Sequence, residues 1–397
     1  MNKMTVRDIE VTGKRVLVRV DFNVPVDAKT GAITDDSRIR AALPTIKYLL
    51  ERNAKIILLS HFGRPKGRVV DDMRLAPVAK RLSQILERPV IASKDCIGPE
   101  VEKAVAALKA GDIILLENLR FHSQEENGDE NFAKALARLG DVFVNDAFGT
   151  SHRAHASISG VTHYLPAVAG FLLEKEINTL GGLLEQPAHP FAALFGGAKV
   201  SDKVAMLKNI MGKVDCLLIG GGMAATFLKA KSYKVGKSLV ETDIINIAGE
   251  LIKEIEKNHA CLHLPVDVVV ADKIDSGAAG EVVSIDAIPP DKLIVDIGPK
   301  TIDNFIKELK KSRTVFWNGP MGVEEIPQFA KGTHTLAKLL PTLKAKTIVG
   351  GGSTAEVIVA LGLEDKITFV STGGGASLEF LSGDELPGVK ALLDKKL

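Results

Sequence analysis

Short runs of Val, Ile and Leu, separated by longer amphipathic stretches, recur along nearly all of this 397-residue chain. In the first half the apolar runs are 16–22, 55–62, 112–118 and 141–148, with helical patterns over 37–51, 75–87 and 131–139 between them. Strands that are apolar on both faces and joined through helices form parallel sheet covered on each side. The second half repeats the arrangement with runs at 191–197, 214–222, 261–272, 314–318, 347–352 and 367–372. The sequence therefore predicts an α/β protein with two three-layer lobes. A helix over 171–184, followed by Gln186, Pro187 and Pro190, reads as the connector. The basic tail, 389–397, is too short to fold alone and should pack on an existing lobe.

Composition narrows the partners. Hydrophobic residues make up 46% and charged residues 25%, with a formal net charge of +2. Such a balance gives no global field toward nucleic acid or an anionic membrane. No apolar run approaches the roughly 20 residues needed to span a bilayer, and the N-terminus has no signal-peptide core. A cytoplasmic location is expected. The three cysteines, Cys96, Cys216 and Cys261, are far apart in sequence and read as buried thiols rather than a disulfide framework or a metal site.

Ligands of open parallel sheets sit beyond the carboxyl ends of the strands, and the two halves differ there. In the first half the strands run into Asp21-Phe22-Asn23, His61-Phe62-Gly63-Arg64, Asn118-Leu119-Arg120 and Asn145-Asp146, with Arg153 following and Arg38 opening the first long helix. A convergence of arginines suits a small, multiply charged anion, because the guanidinium fork matches phosphate and carboxylate. In the second half the ends are glycine turns: 196–197, 220–222, Asn318-Gly319-Pro320, 350–352 and 373–375. Such turns let a backbone approach phosphate. Lys199 and Lys203, four residues apart, are expected to share a face at a helix start. Neither the G-x-x-x-x-G-K-[ST] nor the G-x-G-x-x-G pattern is present. An anion lobe joined to a nucleotide lobe implies phosphoryl transfer.

Across both halves the chain resembles the phosphoglycerate kinase family, in the stretches VRVDFNVPV, SHFGRP, ENLRFH, VNDAFGTSHRAHAS, GGAKVSDK, GGGMAATF, WNGPMGV and STGGGASLE. The resemblance implies ATP and 3-phosphoglycerate as substrates, 1,3-bisphosphoglycerate and ADP as products, Mg²⁺ as cofactor, and a monomer. It implies a substrate lobe over 1–170 with 384–397 packed back on it, a connecting helix at 171–186 and a nucleotide lobe over 187–383.

Carried over by position, phosphoglycerate would be held by Asp21, Phe22, Asn23, Arg38, His61, Phe62, Gly63, Arg64, Arg120 and Arg153. The nucleotide would be held by Gly197, Lys203, Gly298, Asn318, Pro320, Glu325, Gly351, Gly352, Ser353 and Thr354. Arg38, Lys199, Gly352 and Gly375 would lie at the transferring group. Two positions depart from the family pattern. Glu324 stands where an apolar residue is usual, and Ser353 replaces the Asp near the magnesium, so no firm protein ligand to the ion is expected. Two rivals are a nicotinamide-dependent dehydrogenase, which lacks its glycine fingerprint after the first strand, and a non-catalytic nucleotide-binding relative.

Overall fold

The computed structural model describes residues 2–27 and 29–395; positions 1, 28, 396 and 397, including the end of the tail, lie outside them. The chain divides into two compact units, Met1–Asn178 with Glu385–Leu397, and Thr179–Asp384. The division falls inside one helix, Phe171–Glu185.

The first unit holds a six-stranded parallel sheet. Its strands are β1 (Arg15–Arg19), β2 (Lys55–Leu59), β3 (Ile91–Ala92), β4 (Ile113–Leu115), β5 (Val142–Asn145) and β6 (Ala167–Ala169). They lie in the order β3-β4-β2-β1-β5-β6. The helix Ser37–Glu51 buries Ile39, Ala42, Ile46 and Leu49, a spacing of three and four that keeps one stripe on the sheet. The C-terminal segment belongs to this unit. Gly388 donates to the Ser151 carbonyl at 2.8 Å, its own carbonyl accepts from Asn145 at 2.9 Å, and Lys3 pairs with Asp394 at 2.8 Å.

The second unit contains β7 (Phe191–Phe195), β8 (Cys216–Ile219), β9 (Cys261–His263), β10 (Asp267–Ala271), β11 (Glu281–Ser284), β12 (Leu293–Ile297), β13 (Thr314–Asn318), β14 (Lys346–Gly350) and β15 (Phe369–Val370). Six of these form a parallel sheet ordered β15-β14-β13-β7-β8-β9, and β11-β10-β12 form a separate antiparallel sheet. The parallel sheets agree with the sequence reading. The antiparallel one does not follow from it.

The run 261–272, expected as one strand, is two strands in two sheets. Pro265 interrupts the run and has no N–H to continue a ladder. The cysteines also depart from expectation: Cys216 and Cys261 are register partners on neighbouring strands, and Cys261 is exposed.

Carboxylates cap several helix starts at the strand ends. Asp146 accepts from the Leu172 and Leu173 amides, Asp267 from those of Lys300 and Thr301, and Asp296 from that of Gly332. Burial pushes the Asp296 carboxyl up to about 7, against the backbone donors that lower it. A carboxyl raised in the folded state holds a proton that the unfolded chain has released, so stability falls as pH rises through that interval. Asp296→Asn should therefore gain stability relative to the wild type as pH rises from about 4 to 7. Thermal midpoints across that range check this, and parallel curves would refute it.

Candidate active site

Sheet order brings the polar strand ends of the first unit together. Because β4, β2, β1 and β5 are neighbours, their carboxyl ends form one edge. At that edge the Gly63 amide donates to Asn23 Oδ1 at 2.8 Å, and its carbonyl accepts from Arg120 Nη1 at 2.9 Å. Arg38 Nη1 lies 2.5 Å from Asp21 Oδ2. Phe22 and Phe62 are buried and act as packing. Arg64 is exposed, and Arg153 donates to His152 Nε2 at 3.2 Å. Asp21, Asn23, Arg38, His61, Gly63 and Arg120 are thus linked at one edge of one sheet.

The charge balance there rests on residues that the sequence reading did not single out. Arg19, the last residue of β1, is fully buried. Its Nε donates to Ser157 Oγ at 2.9 Å, and Ser157 in turn donates to buried Glu125 at 2.6 Å. Arg19 Nη2 is 3.3 Å from His61 Nδ1. Burial, reinforced by Arg19, Arg120 and Arg38, depresses the His61 pKa far below its usual value despite Asp21 nearby. His61 is therefore neutral, with Nδ1 accepting from Arg19 and the proton on Nε2. Burial raises the Asp21 carboxyl, but neighbouring positive charge outweighs it and leaves the pKa lowered. The Asp21–His61 contact comes first among the opposing causes, followed by Arg38, Arg19 and the Asn23 amide.

Asn118, read from the sequence only as a polar strand end, is the other organiser. Its Oδ1 accepts from the Phe62 and Arg120 amides, and its Nδ2 donates to the Phe62 and Met73 carbonyls. One buried side chain thereby fixes the loops after β2 and β4. An Arg inside an apolar strand, or an Asn closing one, was the available signal. Both strand faces are covered, so a polar group there must be buried with partners.

In the second unit the glycine turns follow β15, β14, β13, β7 and β8, five strands that are consecutive across the sheet. They do two different jobs. A Cβ on Gly196 would lie 2.1 Å from the Pro320 carbonyl oxygen, and one on Gly221 would lie 2.6 Å from the Gly197 amide, so these turns pack on one another. By contrast a Cβ on Gly352 would meet nothing within 4 Å. The helices Gly352–Ala360 and Gly375–Ser382 begin at glycine caps with no capping side chain. The Ala376 amide is taken by the Gly373 carbonyl, but the amides of Gly352 and Gly375 meet no capping side chain and can turn to phosphate. Gly298 is different, since the amides after it are already taken by Asp267.

Lys203 Nζ donates to Asn318 Oδ1 at 2.5 Å, while buried Asn318 Nδ2 has no protein partner. Thr354 is buried and accepts from the Gly319 amide at 2.7 Å, tying two turns together. Ser353 and Glu325 are exposed, and Pro320 is half-buried. The expectation that Lys199 and Lys203 share a helical face fails. The α-helix begins only at Val204, after a 3-10 turn over Ser201–Lys203. Lys199 instead sits on an exposed loop, and Glu241 anchors the next residues by accepting from the Val200 amide at 2.6 Å.

Residues 6–384 match the family model described as phosphoglycerate kinase. The chain belongs to the phosphoglycerate kinase family. It is 55% identical over 395 residues to the phosphoglycerate kinase of Moorella thermoacetica, covering all of both chains. It is 56% identical over 393 residues to that of Dictyoglomus turgidum, covering 99% of this chain and 98% of the other. Solved phosphoglycerate kinases from Coxiella burnetii (42% identity, TM-score 0.86) and Pyrococcus horikoshii (34%, TM-score 0.85) each match over 98% of both chains. Within this family framework Glu324 is half-buried, and burial followed by repulsion from Glu325 and Glu356 raises its pKa.

Proposed function

We propose that the cationic edge of the first unit holds 3-phosphoglycerate and the open glycine turns of the second hold ATP or ADP. The enzyme moves a phosphoryl group reversibly between ATP and the substrate carboxylate. One observation carries this reading of the site: at one sheet edge Arg120 holds the Gly63 carbonyl while Asn23 holds the Gly63 amide, and Asp21 is flanked by Arg38 and His61. Arginine forks there match an acceptor that carries both a phosphate and a carboxylate.

The acceptor carboxylate is ionised at neutral pH, so no general base is required. His155 could hardly serve as one, since burial and then Arg19, Arg120 and Arg153 push its pKa down to about 4. The barrier is electrostatic: an anion approaches a polyanionic triphosphate. Arg38, Lys199 and the amides opening at Gly352 and Gly375 neutralise that charge. Lys203, Asn318, Thr354, Pro320, Gly197, Gly298, Gly351, Ser353 and Glu325 place the nucleotide. Water is a competing acceptor, so closure of the lobes over both ligands belongs to the proposal.

Mg²⁺ takes oxygen ligands and retains several waters. Exposed Ser353 offers only a neutral hydroxyl, which fits an ion held chiefly by the nucleotide phosphates. When bound, the ion supplies charge neutralisation across those phosphates. The enzyme works as a cytoplasmic monomer in this reading.

A coupled assay for ATP-dependent 1,3-bisphosphoglycerate formation, with and without Mg²⁺, tests the assignment; absence of turnover in both conditions would reject it. Ser353→Asp should lower the Mg²⁺ needed for half-maximal rate by ~3-fold or more, whereas an unchanged requirement removes this position from the metal site. Arg64→Ala should raise KM for 3-phosphoglycerate about 10- to 100-fold with kcat nearly preserved. An unaltered KM would exclude Arg64.

A further inference from the structure

At the other edge of the second parallel sheet, four potential metal ligands converge. Cys216 and Cys261 open β8 and β9 and are register partners. His263 is two residues beyond Cys261, so both side chains lie on the same face of the strand. Glu308 comes from the end of the helix Pro299–Leu309, which packs on that face beside Cys216. A donor atom from each of the four lies within 4.8 Å of the others, and His263 Nε2 is 3.9 Å from Glu308 Oε1.

We propose that Cys216, Cys261, His263 and Glu308 form a structural site for a thiophilic divalent cation, with Zn²⁺ the best match. Two sulfurs, an imidazole nitrogen and a carboxylate oxygen make a tetrahedral donor set without an open position. Around zinc such donors sit roughly 3.3–3.8 Å apart, within reach of rotamer adjustments from the present spacing. Lys311 Nζ lies 2.8 Å from Glu308 Oε1. It balances the one negative charge left when two thiolates and a carboxylate bind a divalent ion, and it orients the carboxylate. Two thiolates disfavour Mg²⁺ and Ca²⁺, which take oxygen donors.

The position makes the role structural. Cys216 and Cys261 open β8 and β9, His263 closes the three-residue β9 and Glu308 lies near the end of its helix, whereas the glycine turns follow the carboxyl ends of the sheet's five strands other than β9. A metal here would pin the edge strand β9 to β8 and to the helix above them.

Full-length, reduced, metal-free protein titrated anaerobically with Co²⁺ tests this, followed by Zn²⁺ against a chromophoric chelator. One equivalent of Co²⁺ should give a thiolate-to-cobalt charge-transfer band with ligand-field bands of tetrahedral intensity, and Zn²⁺ should abolish both. Cys261→Ser and His263→Ala should each weaken Zn²⁺ binding more than about 10-fold, without changing kcat. Zn²⁺ should raise the thermal midpoint of the wild type and of Cys96→Ser, but not of those two variants. Cys261 is exposed on an edge strand, so its serine variant is expected to fold; His263→Ala provides an independent second reading. Absence of the charge-transfer band, its survival at undiminished intensity in Cys261→Ser, or its loss in Cys96→Ser overturns the proposal.

Discussion

Lys199→Ala is expected to lower kcat about 10²- to 10³-fold while KM for ATP moves by less than ~3-fold. The two lysines of the GGAKVSDK loop differ in what holds them. Lys203 is fixed by Asn318, and burial lowers its pKa despite Asp202. Lys199 is exposed and makes no hydrogen bond or ion pair with another described residue. A cation already committed to a protein acceptor can define where bound phosphates sit. One on a free side chain can follow charge as it shifts from donor to acceptor, which is an interaction gained mainly in the transition state. Lys203→Ala should therefore show the converse pattern, a raised KM for ATP, because it also frees Asn318. Single-turnover rates and nucleotide affinities measured on both variants separate the roles. Near-normal turnover in Lys199→Ala would remove it from the reaction.

The legible parts of this molecule were those written in local chemistry. Continuous apolar strands gave parallel sheet, and the residues after them gave one cationic edge and one glycine-lined edge. The antiparallel sheet was obscured because one of its two outer strands, Glu281–Ser284, is largely exposed and carries no buried apolar run; Val282 faces solvent. Glycine spacing could not separate turns that pack against each other, such as Gly196 on Pro320, from those that leave room for a ligand, such as Gly352. That distinction depends on which strands become neighbours. The pairing of Cys216 with Cys261 arises the same way, from residues 45 positions apart that β8 and β9 place side by side. Lys199 and Lys203 show the opposite error, since regular helical spacing was assumed before the helix had begun.

Arg19→Met should destabilise the first unit by about 3–5 kcal/mol, lowering its thermal midpoint by roughly 6–20 °C. Methionine fills much the same volume, so the loss comes from charge rather than from a cavity. Glu125 is fully buried, and burial already raises its pKa, opposed by Arg19 and by hydrogen bonds from Ser157. Without Arg19 the carboxylate loses its strongest neighbouring positive charge, and its pKa must rise further. A carboxyl raised in the folded state stabilises least at high pH, so the deficit of Arg19→Met should be small near pH 4 and grow as pH rises through Glu125's new folded value. Adding Glu125→Gln should recover much of the loss, because the orphaned charge is gone while Ser157 keeps a partner. His61 would lose the donor to its Nδ1, so the double variant should regain stability without regaining normal KM for 3-phosphoglycerate. A deficit independent of pH, or a double variant no more stable than Arg19→Met, would show that Arg19 contributes through packing and leave the Arg19–Ser157–Glu125 chain without an electrostatic role.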